Sequence, residues 1–165
     1  MKEVKMTTVI KECRVEELDE ERRRLVERAR QASRGAYAPY SHFHVGAAIQ
    51  MADGSVVAGS NQENAAYPSG MCAERTAAYY ASASHPGMAM KCIAIAAWTR
   101  EGHSVDASDD ECFQKHPISP CGACRQALLE YEHLHGDIEV ILYGRDICYI
   151  FPSISSLLPY SFTDF

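Results

Sequence analysis

The chain has 165 residues, of which 47% are hydrophobic and 23% charged, the proportions of one ordinary globular unit that needs no disulfides to own a core. Its 16 basic and 22 acidic residues leave a formal charge of −6, and its longest apolar run, Cys92 to Trp98, falls far short of the roughly 20 residues of a membrane-spanning helix. Membrane, fibrous and secreted classes are thereby disfavoured, the last also because the opening stretch MKEVKMTTVIKE has no apolar export core.

In chain order, Val15, Leu18, Leu25, Val26, Ala29 and Ala32 recur close to helical period and Gly35 follows, which predicts a helix over residues 13–34. The basic cluster Glu21-Arg22-Arg23-Arg24 reads as its solvated face, because Glu16, Glu17, Glu20 and Glu27 lie at helical pairing distances. Residues 36–41, with Pro39 flanked by Tyr37 and Tyr40, read as a turn. Strands are expected over 43–51 and 55–60, joined by a hairpin turn at Asp53-Gly54. Residues 61–70 read as loop and 72–83 as an alanine-rich helix. The apolar run 91–98 suits a buried central strand. Residues 99–119, with Asp106, Asp109, Asp110 and Glu111, read as an exposed acidic excursion. A helix over 121–135 stops before Gly136, strands follow over 138–143 and 147–151, and a short helix over 153–158. Residues 1–12 receive no assignment. The order predicts an α/β fold, a three-layer α/β/α sandwich around a mixed sheet of about five strands, in a single domain over 1–165.

Charge is unevenly spread: residues 1–34 carry +2 and residues 35–165 carry −8. Most of the chain would repel a phosphate backbone, so no nucleic-acid partner and no membrane partner is expected. Seven cysteines, an odd count, fit a reducing cytoplasmic setting, where a cysteine cluster points to metal or catalysis rather than to disulfides.

Two segments stand out: Cys72-Ala73-Glu74 and Pro120-Cys121-Gly122-Ala123-Cys124. Both place thiols at predicted helix starts, where the dipole and free N–H groups favour thiolate. Cys72, Cys121 and Cys124 make three zinc ligands and leave a fourth position open, as catalytic zinc requires. Glu74, two residues after a ligand, is placed to exchange protons with water there. Two other readings of the cysteines stay open at this point. One is a redox pair at Cys121 and Cys124. The other is a structural zinc site closed by Cys92, Cys112 or Cys148, among which spacing does not choose. Cys13, Cys92 and Cys148 otherwise read as small buried hydrophobes. His42 and His44 offer two further ligands, too few for a site.

These motifs, together with Ala38-Pro39-Tyr40-Ser41-His42-Phe43, Val45-Gly46-Ala47-Ala48, Asn61, Glu63-Asn64-Ala65, Arg75-Thr76-Ala77, residues 119–126, and Leu157-Leu158-Pro159 with Ser161-Phe162, resemble the cytidine deaminases of the short-chain, homotetrameric class over residues 35–162. Zinc deaminases use either one His and two Cys or three Cys as ligands, and this chain has the three-cysteine form. The resemblance implies a cytidine deaminase-like fold and one Zn²⁺ per subunit on Cys72, Cys121 and Cys124, with Glu74 as proton carrier. It further implies that Asn61 and Glu63 bind ribose hydroxyls, that Phe43 packs on pyrimidine or sugar, and that the Ala73 backbone meets the base. Ala65 and Tyr67 would help complete a neighbouring subunit's pocket, Phe162 would reach across an interface in the tetramer, and Arg75 would hydrogen-bond the ligand thiolates and offset their charge.

The implied activity is hydrolytic deamination of cytidine and 2'-deoxycytidine to uridine and 2'-deoxyuridine, a pyrimidine salvage step on a small nucleoside. The alternatives are an enzyme for a related aminated nucleoside such as a nucleoside antibiotic, and a non-catalytic zinc-stabilised interaction module. Two departures from the family are His44, where proline is common, and an acidic insert over about 99–118 that lengthens the gap between Cys72 and Cys121.

Overall fold

Alternation along the strands divides the core into two layers. The computed structural model describes residues 1–104 and 106–163; Val105, inside the expected insert, and residues 164–165 lie outside them. In β2 (His44–Met51), Ala47, Ile49 and Met51 join one apolar cluster and Ala48 the other. In β4 (Met90–Trp98), Ile93 and Ile95 oppose Cys92, Ala94 and Ala96 in the same way. β5 (Glu139–Tyr143) repeats the pattern, with Val140 and Leu142 against Ile141 and Tyr143. Successive side chains leave opposite faces of a strand, so a sheet apolar on both faces must be covered on both.

The covers are helical. The helix α1 (Glu20–Ser33) lies on one face, and α2 (Ala73–Ser84) and α4 (Gly122–His135) lie side by side on the other. With β1 (Lys11–Cys13), β3 (Val56–Ser60) and β6 (Cys148–Phe151), the sheet runs β1-β6-β5-β4-β2-β3. Only β4 and β5 are parallel; every other pairing is antiparallel. This is the expected three-layer arrangement around a mixed sheet, with β1 added at one edge. Two glycines let the layers close. A Cβ on Gly46 would collide with the backbone of α1 at Ala29 and Ser33, and one on Gly59 would sit 2.7 Å from the Ala77 nitrogen of α2.

Three local expectations change. The helix expected over 13–34 starts only at Glu20, because the Asp19 carboxylate accepts the Arg22 N–H at 2.9 Å and caps it there. Upstream, Val15–Glu17 form one 3₁₀ turn and Cys13 pairs in the sheet. The expected C-terminal helix is a single 3₁₀ turn, Ser155–Leu157.

The acidic excursion is anchored as well as exposed. It contains the short helix α3 (Asp109–Cys112), and Cys112 and Phe113 are buried. The Phe113 ring meets Tyr143 edge-on at 5.6 Å, and the Arg30 guanidinium lies 4.8 Å from the Phe113 ring centre. Among the described residues no helix is long and apolar enough to cross a membrane.

Candidate metal centre and substrate cleft

Side-by-side packing of α2 and α4 brings their N-termini together. Cys72 is the N-cap of α2 and Cys121 the N-cap of α4, each extended (ψ 153° and 164°) before the chain turns helical. Neither side chain makes a capping hydrogen bond. Cys121 Sγ lies 4.0 Å from Cys72 Sγ and 3.4 Å from Cys124 Sγ, and all three sulfurs fall within 4.8 Å of one another. Zinc–thiolate bonds of about 2.3 Å in a tetrahedron require sulfurs about 3.8 Å apart, so this donor set fits a zinc ion and leaves one corner free. Among the described residues no other group of three or more potential ligands converges.

The proton balance of the cluster is lopsided. Cys72 is pulled down to about 5, first by the hydrogen bond from the Cys124 thiol, then by the Arg75 guanidinium and by Cys121. Cys124 is pushed up because it keeps the proton it gives to Cys72, and because it is buried. Arg75 places Nη2 3.9 Å from Cys72 Sγ, and its buried Nε has no hydrogen-bond partner among the described residues. Glu74, in the first turn of α2, is only 4% exposed; burial raises its carboxyl above the usual range, and the charge on Cys72 adds to this. Two cysteine-bearing helix starts, one guanidinium and one buried carboxyl thus come together.

The α4 start is fixed by Arg125. It donates from Nε to the Pro120 carbonyl at 2.8 Å, from Nη1 to the Leu157 carbonyl at 2.6 Å and from Nη2 to Ser119 Oγ at 2.8 Å. The residue before Cys121 is therefore tied to the C-terminal 3₁₀ turn.

Beside Cys72 opens a cleft of about 570 Å³, lined among others by Tyr40, Ser41, Asn61, Glu63, Tyr67 and Arg75. Asn61 is oriented by β2: its Oδ1 accepts the Val45 N–H at 2.8 Å and its Nδ2 donates to the Phe43 carbonyl at 2.9 Å. Among the described residues these two bonds use one donor and one lone pair of an amide that has two of each. The Glu63 carboxylate accepts the Tyr40 N–H (3.0 Å), the Ser41 N–H (3.3 Å) and the Ser41 hydroxyl. The Ser41 hydroxyl, followed by the backbone donors, holds its pKa below the ordinary value. His42 then takes a left-handed conformation (φ 54°) that turns the chain into β2. His44 stacks on Trp98, ring centres 4.2 Å apart, instead of pairing with His42.

The expected residues divide accordingly. Cys72, Cys121, Cys124, Glu74 and Arg75 gather at the two helix starts, and Asn61, Glu63 and Tyr67 line the adjoining cleft. Ala73 is buried in the first turn of α2. Phe43, Ala65 and Phe162 lie outside that lining; Phe43 is half-buried where β2 begins, while Ala65 and Phe162 are exposed. Ser41 and Arg125 stand inside the sequence motifs without an expected role, and only their long-range hydrogen bonds reveal one.

A family model described as the cytidine and deoxycytidylate deaminase zinc-binding region matches residues 19–135. The chain is 40% identical over 152 residues to a cytidine deaminase of Halalkalibacterium halodurans, covering 87% of this chain and 95% of that one. It is 35% identical over 140 residues to a probable cytidine deaminase of Dictyostelium discoideum, covering 85% and 82%. Among solved structures, cytidine deaminase from Burkholderia pseudomallei superposes with a TM-score of 0.66 at 39% identity, over 84% of this chain and 97% of that one. The enzyme from Mycobacterium tuberculosis superposes with 0.65 at 32% identity, over 90% and 100%.

Proposed function

The chain belongs to the cytidine and deoxycytidylate deaminase family, and from that premise we propose that it removes the C4 amino group of cytidine and 2'-deoxycytidine by hydrolysis. What supports this most directly is the trio of sulfurs at zinc spacing beside a buried carboxyl. Cys72, Cys121 and Cys124 would hold one Zn²⁺ per chain. Bound there, the ion would supply a Lewis acid that makes water a nucleophile near neutral pH. Glu74 takes the proton released by the attacking water and passes it to ring nitrogen N3. It then takes the proton of the new C4 hydroxyl and hands it to the departing amine, so that the C4–N bond breaks, ammonia leaves and the C4 carbonyl of uridine forms. Burial suits Glu74 to this exchange, since a raised pKa brings its proton affinity closer to neutral pH.

Three thiolates outweigh a divalent ion by one negative charge, which by itself would make the bound water a poorer acid. The dipoles of α2 and α4 and the Arg75 guanidinium draw charge from the sulfurs and offset this. Asn61 and Glu63 bind the ribose hydroxyls, their orientation already set by β2 and by the turn at Ser41. The Ala73 backbone faces the base. Arg125 keeps Cys121 in place through Pro120.

We read residues 1–165 as a single catalytic domain with an insert at about 99–118, acting in the cytoplasm as a homotetramer. One chain leaves Tyr67 80% and Phe162 68% exposed, and Phe43, Ala65 and Phe162 stay outside its own cleft. Both facts suit a pocket finished by a neighbouring subunit. The deciding assay follows ultraviolet absorbance with cytidine, deoxycytidine and a cytosine-containing oligonucleotide, with and without a zinc chelator. Turnover of the two nucleosides alone, abolished by the chelator and restored by zinc, is expected. Turnover of the oligonucleotide, or activity indifferent to the chelator, would overturn the proposal.

A further inference from the structure

Setting aside Cys72, Cys121 and Cys124 leaves Cys13, Cys92, Cys112 and Cys148. Two of these face each other. In the antiparallel pairing of β1 with β6, Cys13 stands directly opposite Cys148. Directly opposed residues have Cα atoms about 4.5–5.5 Å apart and side chains on one face, inside the span of about 4.4–6.8 Å that a disulfide bridges. Both side chains pack into the apolar cluster beneath α1, where Cys148 is fully buried and Cys13 half-buried. Cys92 has Gln50 and Glu139 as its strand partners, and Cys112 sits in α3, so neither has a cysteine opposite it.

We propose that Cys13 and Cys148 form a reversible cross-strand disulfide, closed by a low-molecular-weight disulfide such as oxidised glutathione, which staples the edge strand β1 to β6. The Cys13 thiolate attacks one sulfur of the oxidant, forming a mixed disulfide and releasing one thiolate. Cys148, its proton lost to solvent, then displaces the second thiolate and forms the Cys13–Cys148 bond. Two protein thiols are oxidised, and the oxidant's disulfide is reduced to two thiols, which take up the two protons. Cys13 is the first to react because it lies on the outer strand. Burial raises both thiols above their ordinary value, Cys148 to about 11, so closure is slow at neutral pH and accelerates as pH rises.

The staple would act where the fold is thinnest. β1 has three residues, and the arm before it is held to the C-terminal turn by the Thr8 hydroxyl donating to the Ser156 carbonyl at 2.9 Å. A bond at Cys13 would restrain that arm and keep the β6 edge covered.

The test uses zinc-loaded protein, so that the three clustered sulfurs are engaged, incubated with oxidised glutathione at mildly alkaline pH. Digestion under non-reducing conditions is expected to yield one linked peptide containing Cys13 and Cys148, two hydrogens lighter than its reduced parts and separated again by dithiothreitol. Amide exchange over residues 12–14 is expected to slow several-fold in the oxidised protein. Cys13→Ser, on the outer strand, removes the link, and Cys148→Ala leaves glutathione retained on Cys13. Persistent glutathione on Cys13 of the unaltered protein with no linked peptide would overturn the proposal, as would the same link-dependent mass loss in Cys13→Ser. Neither outcome depends on which nucleoside the cleft accepts.

Discussion

The proposed metal centre and the proposed substrate lip sit side by side but are built differently. The sulfurs and Glu74 stand on two helix starts backed by the sheet, with α2 pressed against Gly59 and the approach to α4 held by three Arg125 hydrogen bonds. The lip is a set of surface turns, residues 40–42 and 61–67, in which Glu63, Ser41 and Tyr40 hold one another near solvent. Groups that move protons or hold an ion need fixed geometry, which helix ends backed by a packed core provide; Glu74 and Cys124 are buried there, Cys72 is half-buried and Cys121 stays exposed. Groups that receive a soluble sugar must stay hydrated until it arrives, and they can do so on loops carried by a rigid scaffold.

Substitutions can break this contrast. Glu74→Gln should have the largest effect, lowering kcat by about 10²–10⁴-fold, the usual worth of a positioned acid–base group. Zinc content by elemental analysis should remain one per chain, and a variant with undiminished turnover would remove Glu74 from its place. Arg125→Leu comes next. With the Pro120 and Leu157 carbonyls deprived of their donor, zinc affinity measured by chelator competition should fall about 10–100-fold, the range seen when the partners behind metal ligands are lost. Arg125→Lys, able to keep one of the three bonds, should lie between.

The smallest effect belongs to the lip and is a pH effect. Glu63 has a folded pKa below its ordinary value of 4.5, so its contribution to stability is present above about that pH and is lost as pH falls through the lower, folded value. Melting temperature should therefore show a shallow acid decline that Glu63→Gln lacks and Ser41→Ala weakens. The carboxylate is solvent-screened, so the difference should be slight.

Local sequence rules anticipate the convergence of the three cysteines and say less about what surrounds them. Cys72, Cys121, Cys124 and Glu74 could be found from spacing and helix starts, and β2, β4 and β5 from apolar runs, because those signals lie within one turn or one strand. β1 could not: Lys11-Glu12-Cys13 has no apolar alternation, and its partner lies in β6, near the other end of the chain. The same distance hid Phe113, which looks like part of a polar excursion until Arg30 and Tyr143 are seen around it. Arg125 was hidden similarly, since an arginine in a first helical turn gives no sign that it reaches Leu157. The Asp19 cap was hidden too, because the apolar period runs through Val15 and Leu18 on its upstream side.

The parallel pairing of β4 with β5 within the sheet has a practical outcome. Two parallel neighbours can be joined only by a long overpass, and here the overpass carries α3, Cys121, Cys124 and α4 before re-entering at Glu139. Lengthening such a span costs little, because closure entropy grows only with the logarithm of its length. The exposed left-handed bend at Gly102, upstream of the Phe113 anchor, is consequently the spot for splicing in a fluorescent tag or affinity peptide without disturbing either sulfur-bearing helix start.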